Sequence, residues 1–180
     1  MAALAGCGRG GAPPDPAALV ADLTSGDEEK SGDARLALIS LGEPAAPALV
    51  HLLRTGAPRE RVLAATTLWG MGAKASSAVP ALAAALADGD PELRVACAMA
   101  LENMGPAARD AAPALAAALG DPERSVRQAA VKALGAMGPA ASPALPALEA
   151  AIERESWPEA EEAVQRIHGG RVPAPVTEDE

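Results

Sequence analysis

Apolar and polar positions alternate at helical spacing through most of this chain, and the pattern itself repeats. Over Asp90 to Asp121, Val95, Met99, Leu101 and Met104, with the small Cys97 and Ala98, predict the apolar face of one helix. Asp90 is placed to cap that helix, since its short side chain accepts from free N–H groups one turn in. Pro91 follows where a missing donor costs nothing. Gly105 ends the helix, with a left-handed cap conformation expected there, and Pro106 blocks continuation. A second helix is expected from near Ala111 or Pro113, with Leu115 and Leu119 one turn apart. Asp121-Pro122-Glu123 then reads as a restart of Asp90-Pro91-Glu92.

The period is 33 residues. Pro47, Pro80, Pro113 and Pro146 keep it, as do Leu49, Leu82, Leu115 and Leu148, and Leu53, Leu86, Leu119 and Ile152. In the first helices the same step links Leu68, Leu101 and Leu134, then Met71, Met104 and Met137, then Gly72, Gly105 and Gly138, and then Arg61, Arg94 and Arg127. An earlier copy at Leu38, Leu41 and Gly42 is offset by 30, because its turn is three residues shorter. Two helices per unit at a fixed period of this size predict an α-α superhelix in which each unit packs only on its neighbours. Complete pairs are expected at Glu28–Gly56, Ala57–Gly89, Asp90–Gly120 and Asp121–Glu155. Half units at Asp15–Thr24 and Pro158–Ile167 would cap the ends, the latter with Ala160, Ala163, Val164 and Ile167 inward and a charged outer face. Pro58, Pro91, Pro122 and Pro158 each suit an early position of a first helix.

This organisation divides the 180 residues into an unstructured segment 1–14, a repeat domain 15–168 and a Pro-rich acidic tail 169–180. Composition agrees with an all-α chain: Phe and Tyr are absent, so Leu, Met, Val and Ala must fill the interior. The formal net charge of −9 and the lack of a basic stripe argue against nucleic-acid binding. Cys7 and Cys97 offer no disulfide framework, and Cys97 shares the column of Ala64 and Ala130, so it reads as a small core residue. Phosphate-loop, zinc and nucleophile-elbow motifs are missing, so no catalytic, metal or cofactor residues are assigned. No apolar run is long enough to span a bilayer.

The consensus D-P-E-x-x-R-x-x-A…L-x-x-M-G-P-A-A…A-x-P-A-L-x-x-A-L-x-D resembles HEAT repeats, and specifically the short bacterial repeats called phycobilisome-lyase HEAT-like. The resemblance covers about Asp15 to His168 and is clearest at Asp90 and Asp121. It implies second helices lining a concave face, in proteins used mostly to bind other proteins. A minority are phycobilin lyase subunits, so an accessory lyase-like role on a chromophore-bearing partner is the alternative. The first unit departs, with no Arg in the column of Arg61, Arg94 and Arg127. Separately, Leu4-Ala5-Gly6-Cys7 resembles a bacterial lipobox. Either Met1 lies inside a longer signal peptide, with Cys7 lipidated and the protein at the cell envelope, or the match is accidental and the protein cytoplasmic.

A non-enzymatic, monomeric module binding a protein or peptide is therefore expected. With Leu49 and Leu53 inward, His51 and Arg54 point outward on the second helix of the first pair. The same columns carry Ala84 and Ala87, then Ala117, and finally Glu153, with Glu149 beside it. The expected surface is a shallow alanine groove with charged ends. The resemblance implies that Arg61, Arg94 and Arg127 pair with acidic groups or helix-end carbonyls of the adjacent unit, with Asp88, Asp90 and Asp121 the candidates and the ion pairs exposed. Trp69 is expected to be partly exposed, and Trp157 to cover the end of the stack.

Overall fold

The computed structural model describes residues 14–154 and 157–169. Cys7, nearly all of the N-terminal segment and nearly all of the acidic tail lie outside the described residues. The elements are α1 (Pro16–Leu23), α2 (Glu28–Leu41), α3 (Ala46–Thr55), α4 (Pro58–Met71), α5 (Val79–Ala85), α6 (Pro91–Met104), α7 (Ala112–Ala118), α8 (Arg124–Met137), α9 (Leu145–Arg154) and α10 (Pro158–Ile167). Among the described residues there is no strand. Helices α2/α3, α4/α5, α6/α7 and α8/α9 form four pairs, flanked by the half units α1 and α10. First helices α2, α4, α6, α8 and α10 pack side by side in one layer, and α1, α3, α5, α7 and α9 follow one another in the second.

The apolar columns become the core. Leu38, Leu68, Leu101 and Leu134 are fully buried on the first helices, and Leu49, Leu82, Leu115 and Leu148 on the second. Buried alanines fill the space between them, which lets helices approach closely. Pro47, Pro80, Pro113 and Pro146 each occupy the second position of a second helix, where no intrahelical donor is needed. A seven-residue 3-10 helix joins the two members of the last three pairs, at Gly72–Ala78, Gly105–Ala111 and Gly138–Ala144. In the first pair it is three residues, Glu43–Ala45.

Four expectations are corrected. The glycines after the first helices do have positive φ, but Gly105 has φ 56° and ψ −132°, not the left-handed helical ψ. The chain must reverse directly into the 3-10 segment, which needs a mirror-extended ψ that only glycine adopts at low cost. Met99 does not belong to the buried face and is 42% exposed. At 100° per residue it lies about 200° from Cys97, whereas Leu93, Cys97, Leu101 and Met104 form the buried stripe. Val95 shares the outward tilt and is only half-buried. Pro122 is not an early residue of α8, which starts at Arg124. The column of Pro58 and Pro91 reaches Arg124, so Pro122 stands two residues ahead of register. Asp90 is not an arginine partner. Its carboxylate accepts from the Glu92 N–H at 2.9 Å as the cap of α6.

Other details agree with the sequence. Asp15 and Asp27 cap α1 and α2 through Ala17 N–H, and through Glu29 and Lys30 N–H. Cys97 is buried, and burial pushes its thiol up to about 12. Ala160, Ala163 and Ile167 are buried under α10, Val164 is half-buried, and Trp157 is buried at the final turn. Trp69 is 43% exposed.

Candidate interaction surface and the arginine ladder

The arginine column bridges neighbouring units. Arg61 donates from Nε to the Leu53 carbonyl at 2.9 Å and from a terminal nitrogen to Asp88 at 2.6 Å. Arg94 donates to both oxygens of Asp121, each at 2.8 Å, and to the Asp88 carbonyl at 2.8 Å. Each arginine thus ties the C-terminal end of the preceding second helix to an aspartate 27 residues on. Arg94 is 8% exposed, so this pair is buried rather than a surface contact. Arg127 continues the backbone half of the motif, donating to the Asp121 and Pro122 carbonyls at 2.9 and 3.0 Å.

The electrostatics follow the geometry. The Asp90 N–H and the Arg61 guanidinium hold the Asp88 carboxyl below its ordinary value. Burial pushes Asp121 upward, but the Arg94 fork and the Glu123 N–H outweigh it, so its carboxyl also lies low. The Arg94 guanidinium is raised in turn by Asp121.

Several contributors escape a reading by residue type. Ser31 occupies the arginine column of the first pair, at the 30-residue offset, and its hydroxyl donates to the Leu23 carbonyl at 2.8 Å. The separation of eight residues is that between Arg61 and Leu53. Arg154 stands in the column of Asp88 and Asp121, reversing the charge, and donates to the Leu119 carbonyl at 3.2 Å. Asn103 donates to the Trp69 carbonyl at 2.6 Å, tying α6 to the end of α4. The column positions mark Ser31 and Arg154; nothing in the repeat marks Asn103, which replaces a Gly and an Ala.

On the second helices, His51, Arg54, Ala84, Ala87, Ala117, Glu149 and Glu153 are all exposed. His51 and Arg54 lie on α3, Ala84 on α5, Ala117 on α7, and Glu149 and Glu153 on α9; Ala87 follows α5 in the turn. Successive second helices are neighbours, so these residues form a row running from a cationic end, through methyl groups, to an anionic end. Among the described residues no three His, Cys, Asp or Glu side chains gather as a metal set. No single described helix is long and apolar enough to cross a membrane. The row offers shape, apolar contact and terminal charge, which suits recognition of an extended or helical segment.

Residues 79–167 match the family model described as HEAT repeats. Comparison with curated protein sequences finds no match. Among solved structures, the complex of CpcE and CpcF of phycocyanin lyase from Nostoc sp. PCC7120 shares the fold, with a TM-score of 0.67 and 22% identity. That match covers 85% of this chain and 97% of the other. A designed armadillo repeat protein in complex with peptide (KR)4 aligns with a TM-score of 0.63 and 20% identity, covering 86% of this chain and 80% of the other. An engineered protein aligns with a TM-score of 0.58 and 24% identity, covering 86% and 80%. The same columns continue upstream of the matched units to Leu38, and the two layers of helices stack in register, so the chain has the fold of an α-α superhelix whose C-terminal half matches HEAT repeats.

Proposed function

We propose that this protein is a non-enzymatic interaction scaffold that takes a protein or peptide segment along its second helices. The supporting observation is the exposed row in which Ala84, Ala87 and Ala117 separate His51 and Arg54 from Glu149 and Glu153. Alanine gives a partner close access to the helix surface without displacing long side chains. The opposite charges at the ends favour one direction for the bound segment. The designed armadillo protein that shares the fold is described in complex with a peptide, in keeping with this use of stacked helix pairs. Ala84→Glu combined with Ala117→Glu places two carboxylates in the middle of the row. Capture of the native partner is expected to be lost with helicity and melting unchanged; undiminished capture would place the site elsewhere.

The second reading is an accessory lyase-like subunit acting on a chromophore carried by another protein. Its motive is the fold shared with the phycocyanin lyase complex. A tetrapyrrole needs polar groups to orient it, and the middle of the second-helix row is alanine. Titration of the purified protein with a bilin separates the two readings. An unchanged absorption spectrum removes the lyase-like reading, and a saturable shift favours it over the scaffold.

A further inference from the structure

Arg35 breaks a column that is otherwise small and buried. At the same position the later units carry Ala65, Ala98 and Val131, all sealed in the core. The contact between α2 and α4 is sparser than those between the later first helices, and the Arg35 guanidinium donates across it to the Thr66 carbonyl at 3.2 Å. Beside it opens a cleft of about 840 Å³ lined from α1, α2, α4 and the start of α6. The cleft's apolar lining includes Leu23, Val62 and Leu63. Its rim carries Asp27, Glu28, Glu60, Asp90 and Glu92, against Arg59 as the cation among the described lining residues. Asp27, Glu60 and Asp90 also accept backbone N–H groups, which leaves their charge in place. The outward stripe of α4 runs from Val62 through Thr66 to the exposed Trp69, extending the apolar surface beyond the cleft.

We propose that this cleft docks a basic segment of a partner protein. One apolar side chain of that segment rests on the half-buried Val62 and Leu63, above the sealed Leu23, and flanking Lys or Arg residues face the carboxylates. Charge selects the occupant. The five lining carboxylates outnumber Arg59, Lys30 (3.7 Å from Asp27) and the neighbouring Arg35, so the rim repels an acidic segment and attracts a basic one, and the apolar lining gives the contact a fixed seat. This surface is built mainly on the first helices α2, α4 and α6 with the end of α1, and it shares no residue with the alanine row.

The test uses the full chain and fluorescence anisotropy with a labelled twelve-residue peptide of Lys and Leu at helical spacing, plus its Glu/Leu counterpart. The Lys/Leu peptide is expected to bind and to weaken as salt rises. Glu28→Lys with Glu92→Lys should weaken it at least tenfold. The matched swap Glu159→Lys with Glu161→Lys, in the first turn of α10, should change it less than twofold. Val62→Asp should also weaken binding, although it makes the chain more acidic and would strengthen a diffuse attraction. Circular dichroism checks its folding; should Val62→Asp unfold, the exposed charge swaps carry the test alone. Ala84→Glu with Ala117→Glu should leave this binding unchanged, so failure here is distinguishable from failure of the second-helix site. Equal weakening by both charge swaps, equal binding of the Glu/Leu peptide, or no binding at low salt would overturn the proposal.

Discussion

Arg94 and Asp121 meet through two parallel 2.8 Å hydrogen bonds, one at the start of α6 and the other in the turn leading into α8. The planar guanidinium matches the carboxylate edge, and the third bond to the Asp88 carbonyl fixes its remaining face. The contact joins neighbouring units at a point where both side chains are nearly sealed from water. Arg61 and Asp88 repeat the arrangement one unit earlier in a more open setting.

Removing one partner of the sealed pair leaves the other charge buried. Asp121→Asn or Arg94→Ala is therefore expected to cost about 3 kcal/mol. Arg61→Ala, in the more open pair, should cost about 1 kcal/mol. Urea unfolding of the three variants gives the comparison. Equal losses at Arg61 and Arg94 would show that burial does not set the strength of these contacts.

The same aspartates set the acid limit. Asp88 and Asp121 have folded-state values below the ordinary 3.8. Their contribution to stability is complete above the unfolded value and disappears as pH falls through the lower folded value. The melting temperature should hold from neutral pH to near the ordinary carboxylate range and drop below it. In Arg94→Ala the part of that drop due to Asp121 should be smaller. A wild-type melting temperature that rises on acidification below pH 4 would contradict this assignment of the two carboxyls.

Gly105 adopts a backbone conformation closed to side-chain-bearing residues. Space is not the difficulty, since a Cβ there meets only the Ala136 carbonyl at 3.5 Å. Gly105→Ala should therefore cost about 2 kcal/mol through backbone strain alone. Gly120→Ala, at negative φ and exposed, should be near neutral. Thermal melts of both variants read the difference.

Cys97 is sealed among alanines and leucines, and its thiol is raised to about 12. In a Cys7→Ser background a thiol reagent at pH 8 should modify nothing until denaturant is added. Rapid modification of the folded chain would show that α6 opens locally.

How much of this was legible beforehand depends on whether a feature repeats. Columns of Leu, Pro and Gly sum weak local preferences over several copies, so the four pairs and both half units follow from spacing alone. Features confined to one copy were hidden. Arg35 looks like an ordinary charged helix residue until its column is seen to be packed in the other units. Pro122 misled because the tripeptide Asp121-Pro122-Glu123 copies Asp90-Pro91-Glu92 in residues but not in register. Asp121 is bound instead to Arg94 and to the Glu123 N–H, and α8 starts later. Met99 shows that an apolar residue at plausible spacing belongs to a buried stripe only if the whole stripe agrees.

Recognition along the second helices is read most directly by a photo-crosslinking residue at Ala117, compared with one at Lys132 on the outer side of α8. With native partner present and the adducts identified by mass spectrometry, covalent adducts should form at position 117 and be absent at 132. Adducts at 132 with none at 117 would contradict the account.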